Sequence, residues 1–196
     1  MATYRAIDTV CQAVVDLLRD SSSPAMFNQD LDFRVYTTSD FAQHMTAGVS
    51  LFLYRVFVNG VYRTPPGRAV PGEPARGSQL PVDLHFLLIP WSKDPSTQHV
   101  LTGWMMRTLE DLPILPSGLL NRRTPGVFRP DETVEVVVGD IDDEELFRLW
   151  ELIGPNAYRL SIPYVARDVR IESEVEDGAG ALVQERVVEF ARQVSP

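Results

Sequence analysis

The sequence predicts an α/β (α+β) fold: a single domain in which a mixed five- to six-stranded sheet is packed by about three helices. Three observations carry that expectation. Apolar residues recur at helical spacing within 4–20, 95–112 and 143–153. Between those segments lie short runs rich in β-branched and aromatic residues. The length, 196 residues, suits one domain that buries roughly 70% of its unfolded surface and needs no covalent staple. With Cys11 as its one cysteine, the chain has no internal disulfide framework.

In the first helix the stripe is Ile7, Val10, Cys11, Val14, Leu17 and Leu18, and the run Ser21, Ser22, Ser23, Pro24 ends it. Cys11 lies on the apolar face, which makes it a buried, inert thiol rather than a nucleophile. A short strand follows at Phe33 to Tyr36. Val49 to Val58 is apolar on nearly both faces, as in a central strand covered on both sides. Asn59-Gly60 is a turn signal, and five prolines and three glycines lie between Pro65 and Pro81. Residues 59–81 are therefore expected to form a mobile Pro/Gly-rich loop or arm.

Pro81 to Ile89 reads as strand, with Val82, Leu84, Phe86 and Leu88 on one face and Leu87 and Ile89 on the other. Asp94 and Pro95 open a helix striped by Val100, Leu101, Trp104, Met105, Leu109 and Leu112, and Pro113 closes it. Gly103 inside that helix costs about 1 kcal/mol against alanine, which a close crossing of another element would explain. Residues 113–130 read as loop with a helical turn at 117–121, and 133–138 as strand. The next helix is written at both ends. Asp142 suits the N-cap, Glu145 completes a capping box, and Ile141 and Leu146 have staple spacing. Leu146, Leu149, Trp150 and Ile153 form its stripe, and Gly154-Pro155 stops it.

Tyr164 to Glu176 predicts a long strand with Val165, Val169, Ile171 and Val175 inward. Asp177-Gly178 is a hairpin signal. In 181–194, Val183, Val187, Phe190 and Val194 fit a helix, while β-branched content and the preceding turn favour a return strand. The expected organisation is a domain over 1–176 followed by an extension or return strand over 177–196.

A net charge of −9 argues against a nucleic-acid partner. No apolar run approaches the roughly 20 residues of a membrane span. The N-terminal residues lack the pattern of a secretory signal, so synthesis and assembly are expected in the cytoplasm. Charge is unevenly spread. Arg63, Arg68 and Arg76 lie in one loop and Arg122, Arg123 and Arg129 in another. Glu172, Glu174, Glu176 and Asp177 form an acidic block, with a second from Asp140 to Glu145. Solvated loops and a charged helix N-terminus explain such clusters. They also suit complementary side patches on copies of one subunit, and the first ten of these residues, from Arg63 to Asp177, are the candidate assembly-interface residues.

Residue types for chemistry are sparse. None of His44, His85 and His99 is spaced as a zinc ligand, and no nucleophile-elbow, Walker or dinucleotide-binding motif is present. Asp140 and Asp142 begin a calcium-loop pattern whose glycine and twelfth-position glutamate are missing. Asp83 and His85 share the outer face of a strand, and a small metal-dependent hydrolase using them with the acids near 140 is the rival reading. The chain is read as a non-enzyme with no catalytic residue, metal or cofactor.

Four segments in order carry a resemblance: V-S-L-F-L-Y-R-V-F-V-N at 49–59, P-V-D-L-H-F-L-L at 81–88, L-T-G-W-M-M-R-T-L-E-D-L-P-I-L at 101–115, and E-E-L-F-R-L-W at 144–150 with Y-R-L-S-I-P-Y-V-A-R-D-V-R-I at 158–171. Together they resemble the cap, or tail-terminator, proteins of extracellular contractile injection systems, phage-tail-like particles of the antifeeding-prophage and virulence-cassette type. The match spans about 4–172. The resemblance implies a tail-terminator-like fold. It also implies a hexameric ring on the baseplate-distal end of the inner tube and contractile sheath, with the tube protein, the sheath protein and five further copies as partners. A baseplate or adaptor ring of the same particle is the alternative position.

Overall fold

In a computed structural model, which describes residues 2–43, 45–61, 79–154 and 157–173, two long strands carry the architecture. β2 (Gly48–Val58) and β3 (Gln79–Trp91) pair antiparallel along nearly their whole length. β1 (Asp32–Tyr36) adds parallel to β2, and β6 (Ile162–Glu172) adds antiparallel to β3. β5 (Thr133–Val138) and β4 (Ile114–Pro116) follow, giving one six-stranded mixed sheet in the order β1-β2-β3-β6-β5-β4. The helices are α1 (Ala6–Ser21), α2 (Pro24–Phe27), α3 (Pro95–Asp111), α4 (Ser117–Leu120) and α5 (Asp143–Ile153). A 3-10 turn spans Thr38–Ala42.

The period-2 pattern of β3 sorts its side chains onto two cores. Val82, Leu84, Phe86 and Leu88 enter the larger one, which α1 and α3 close with Val10, Val14, Leu18, Leu101 and Met105. Leu87, Ile89 and Trp91 enter a second core on the opposite face, closed by Trp150 of α5 and by Phe41 of the 3-10 turn. Phe41 meets Phe52 and Trp150 edge-on, with centroids 5.3 and 5.5 Å apart. The two buried indoles are satisfied: Trp91 donates to Ser50 Oγ at 2.8 Å and Trp150 to Ser161 Oγ at 3.2 Å.

Several sequence expectations need correction. β2 is covered on both faces only over its first half, since Val56, Phe57 and Val58 are each more than 40% exposed. The strand that the sequence reading missed among the described residues is β4, concealed by Pro113 before it and Pro116 at its end; the strand expected over 181–194 lies outside the described residues. Gly103 is exposed, and nothing lies within 4 Å of a Cβ built there, so no close crossing explains it. In β6, Asp168 has φ +53 and the register slips by one residue between Ala166 and Val169. That bulge swaps the faces. Ile162, Tyr164, Ala166, Val169 and Ile171 face the larger core, and Val165 points away from it. Val175 lies outside the described residues. Helix α5 forms as written: the Asp142 carboxylate accepts the Glu145 N–H at 2.7 Å. The Glu145 carboxylate does not close the capping box but stands 3.7 Å from the Arg55 guanidinium.

A buried carboxylate ties α1 to the segment after α4. Arg123 grips Asp16 with both prongs, at 2.7 and 2.5 Å, and Arg19 adds a third contact while also donating to the Phe33 carbonyl at 2.7 Å. The Asp16 side chain is 6% exposed, so these bonds replace most of its water. The Arg123 hydrogen bond, against opposing desolvation, holds the Asp16 carboxyl below its usual range.

Three outcomes are expected. Gly48 has φ +146, and a Cβ there would stand 1.9 Å from the Asp32 carbonyl oxygen. Gly48→Ala should therefore cost about 3 kcal/mol or more by chemical denaturation, through loss of the β1 pairing. Gly103→Ala should add about 1 kcal/mol and raise Tm by about 2–4 °C in a thermal melt. Asp16→Asn should cost about 1–3 kcal/mol, moderated because both arginines reach solvent. The Asp16 contribution is complete above the ordinary carboxyl pKa of about 4 and disappears as pH falls through the lowered folded value. Denaturation midpoints measured from pH 6 to pH 2 should consequently fall less steeply for the D16N variant than for the parent.

Candidate assembly surfaces

The sequence-derived interface residues separate into two groups. Arg63, Arg68, Arg76, Glu174, Glu176 and Asp177 lie outside the described residues. The other four are engaged within the chain. Arg122 pairs with Asp20, and Arg123 with Asp16. Arg129 donates to both Glu172 oxygens at 2.8 and 2.7 Å, and Gln79 donates to the same carboxylate at 2.7 Å. The Glu172 side chain is only 1% exposed, while Arg122 and Arg123 remain nearly half exposed. These arginines thus pin loops to α1 and to the end of β6. Arg122 and Arg123 each keep a side open to solvent.

Apolar surface that sequence periodicity missed is concentrated in two places. One is the second half of β2, where Val56, Phe57 and Val58 are exposed and the Arg55 guanidinium lies 5.4 Å from the Phe57 ring centroid. Nearby α5 exposes Leu152 and Phe147, the latter 5.6 Å from the Tyr158 ring. The other is α3 and its continuation, where Val100, Met106, Leu112 and Ile114 are exposed. A helical stripe finds the buried side of α3 but gives no sign of these residues, because Val100 and Leu112 belong to the same apolar pattern as the buried Leu101 and Leu109.

Between α1, the end of β1, β2 and α5 runs an apolar groove of about 640 Å³. Ile7 and Cys11 line one wall, Leu149, Leu152 and Ile153 the other, and Leu53 and Tyr54 the floor. Burial pushes the Cys11 thiol up to about 12, so the groove contains no thiolate nucleophile at neutral pH.

The residues of the hydrolase reading are occupied differently. Asp83 Oδ1 accepts the Asp168 N–H at 2.9 Å and Oδ2 accepts from Asn59 at 3.2 Å, so this carboxylate holds the β6 bulge and the end of β2. His85 sits against the Tyr54 ring, centroids 6.2 Å apart. Burial first, then the Arg55 charge, lowers its pKa, which favours neutral imidazole at pH 7. Among the described residues no group of three or more His, Cys, Asp or Glu side chains could hold a metal ion. None of their helices is long and apolar enough to cross a membrane.

Two solved structures share this architecture. The sheath/tube terminator of PVC, an extracellular contractile injection system, in the extended state superposes with a TM-score of 0.56 at 19% identity. The match covers 95% of this chain and 63% of that one. The anti-feeding prophage cap, a tube-terminating cap, superposes with a TM-score of 0.58 at 18% identity over 92% of this chain and 60% of that one. The chain therefore spans about three-fifths of the length of either structure. No curated protein is a significant match by sequence. The family profile described as the Pvc16 N-terminal domain matches residues 9–185, and the chain belongs to that family.

Proposed function

We propose that this chain is a terminator that closes into a hexameric ring on the baseplate-distal end of the inner tube and contractile sheath of a phage-tail-like particle. The observation that carries the reading is the pair of terminators, one of a sheath and tube and one of a tube, whose folds align with more than nine-tenths of this chain. The physics of such a part is simple. A tube grows because the top of each ring fits the bottom of the next, a heterologous contact that does not close along the axis. A terminator offers the lower half of that contact and withholds the upper half, so addition stops.

Around a ring, each subunit needs two different side patches that fit each other. At −9 per subunit, the contacts must overcome self-repulsion. The exposed apolar surface of β2 and α3 supplies burial for that purpose. The arginines at Arg63, Arg68 and Arg76, the open sides of Arg122 and Arg123, and the acids at Glu174, Glu176 and Asp177 supply complementary charge. Nothing in this reading requires a catalytic group. Assembly takes place in the cytoplasm, with tube, sheath and further copies as partners, and the finished particle carries the protein out of the cell.

Electron microscopy of particles from cells lacking this protein tests the reading. Overlong or unstable tubes are the expected result; normal tubes without baseplates would instead assign it to an adaptor ring. Deleting residues 65–78 should leave a folded subunit that fails to cap. Particles of normal length from that deletion would remove the loop from the contact surface.

A further inference from the structure

Asn59 and Gly60 directly follow β2. The Asn59 backbone N–H donates to the Pro81 carbonyl at 3.0 Å, which fixes the residue at the end of the β2–β3 ladder. Its side chain is held at both polar atoms. Oδ1 accepts the Val61 N–H at 3.2 Å, and Nδ2 donates to Asp83 Oδ2 at 3.2 Å. Gly60 is exposed, and nothing lies within 4 Å of a Cβ built there. A polar cavity of about 500 Å³, lined by Asn59, Asp83, Thr133, Glu135, Arg167 and Asp168, opens beside the amide.

These are the parts of an intramolecular acyl transfer. Asparagine is a thermolabile residue. The main-chain nitrogen that follows it is held close to its own side-chain Cγ, and glycine puts no side chain in the way of ring closure. The Val61 N–H points at Oδ1, where negative charge develops when Cγ is attacked. Nδ2, the leaving group, borders the cavity.

We propose that Asn59 is a self-modification site: it converts through a cyclic imide with Gly60 to aspartate and isoaspartate, and the product releases the hold of Asp83 on the β6 bulge. The Gly60 nitrogen gives its proton to solvent and bonds to Asn59 Cγ. The Cγ–Nδ2 bond breaks, and Nδ2 takes up a proton and leaves as ammonia. Water then opens the imide. Addition at Cγ frees an aspartate side chain; addition at the main-chain carbonyl gives isoaspartate. Amide and water become acid and ammonia, with no change of oxidation state.

The consequence follows from what Asn59 faces. Its N–H donor becomes a carboxylate opposite Asp83 Oδ2, so like-charge repulsion replaces a hydrogen bond. Isoaspartate also lengthens the main chain just past the contact with Pro81. Asp83 Oδ1 accepts the Asp168 N–H at 2.9 Å, and Asp168 is the residue held at φ +53. A displaced Asp83 leaves that left-handed conformation without its brace. The inference is independent of capping, because it concerns one isolated subunit.

The test incubates the purified full chain at mildly alkaline pH. Mass spectrometry of the tryptic peptide 56–63, with isoaspartyl methyltransferase labelling, reads the conversion, and hydrogen exchange at Asp168 reads the brace. Acid and label should accumulate at Asn59 in the parent, and Gly60→Ala should slow both by roughly tenfold. The Asp168 amide should exchange roughly tenfold faster in the converted protein, with α1 unchanged as the control for folding. Asn59→Asp, which carries one product from the outset, should show the same acceleration without incubation. An unmodified Asn59 after a period in which the free peptide 56–63 converts fully would overturn the site. Parental Asp168 exchange in both the converted protein and Asn59→Asp would overturn the release.

Discussion

Everything in this molecule is arranged around a strand that is apolar on both faces. Leu84, Phe86 and Leu88 on one side of β3 and Leu87 and Ile89 on the other are all 0–1% exposed. Burying each such side chain contributes roughly 1.5–3 kcal/mol, and no single layer of helices can cover both sides. α1 and α3 must therefore pack on one face, and α5 with the 3-10 turn on the other. The chain order of the elements follows from the same requirement. α1 precedes the two long strands, and α3 and α5 follow them onto opposite faces.

Where that double cover gives out, apolar surface is left exposed. The second half of β2 projects beyond β1, and its apolar residues meet solvent. Two bulges mark the transition, one in β2 between Leu53 and Arg55 and one in β6 at Asp168. Asp83 braces both regions by accepting from Asn59 and from the Asp168 amide. A carboxylate that sequence alone offers as half of an acid/base pair is therefore a structural clamp. Its two acceptor oxygens are taken by a side-chain amide and a backbone N–H.

Much of the fold was legible because it is written locally. The α5 cap at Asp142, the stripe of α1 and the alternation of β3 each depend on residues within one element, and each forms as its pattern predicts. The misses have physical causes. A bulge at Asp168 reverses face assignment without any glycine or proline to announce it. β4 is three residues, ending in Pro116 and preceded in the chain by Pro113, too short for periodicity to register. Clusters of like charge show where arginines are but not whom they hold. The partners of Arg123 and Arg129 lie 107 and 43 residues away, a distance that no spacing rule spans.

The placement of these ion pairs bears on how the chain keeps its shape. Asp16 and Glu172 are almost wholly shielded, whereas their arginine partners reach solvent on one side. Removing a shielded carboxylate strands two or more donors, while moving the exposed side of an arginine costs little. The subunit can therefore offer the outer edge of Arg123 to a neighbour's carboxylate without surrendering its hold on Asp16, because a guanidinium has five N–H donors and Asp16 takes two of them. Lysine in that place would present its three donors from a single nitrogen, without the fork that grips Asp16 through two parallel bonds. The arginine bias of the chain, 17 of 18 basic residues with Lys93 the exception, suits ion pairs in which a two-pronged grip holds a shielded carboxylate while part of the guanidinium stays in solvent.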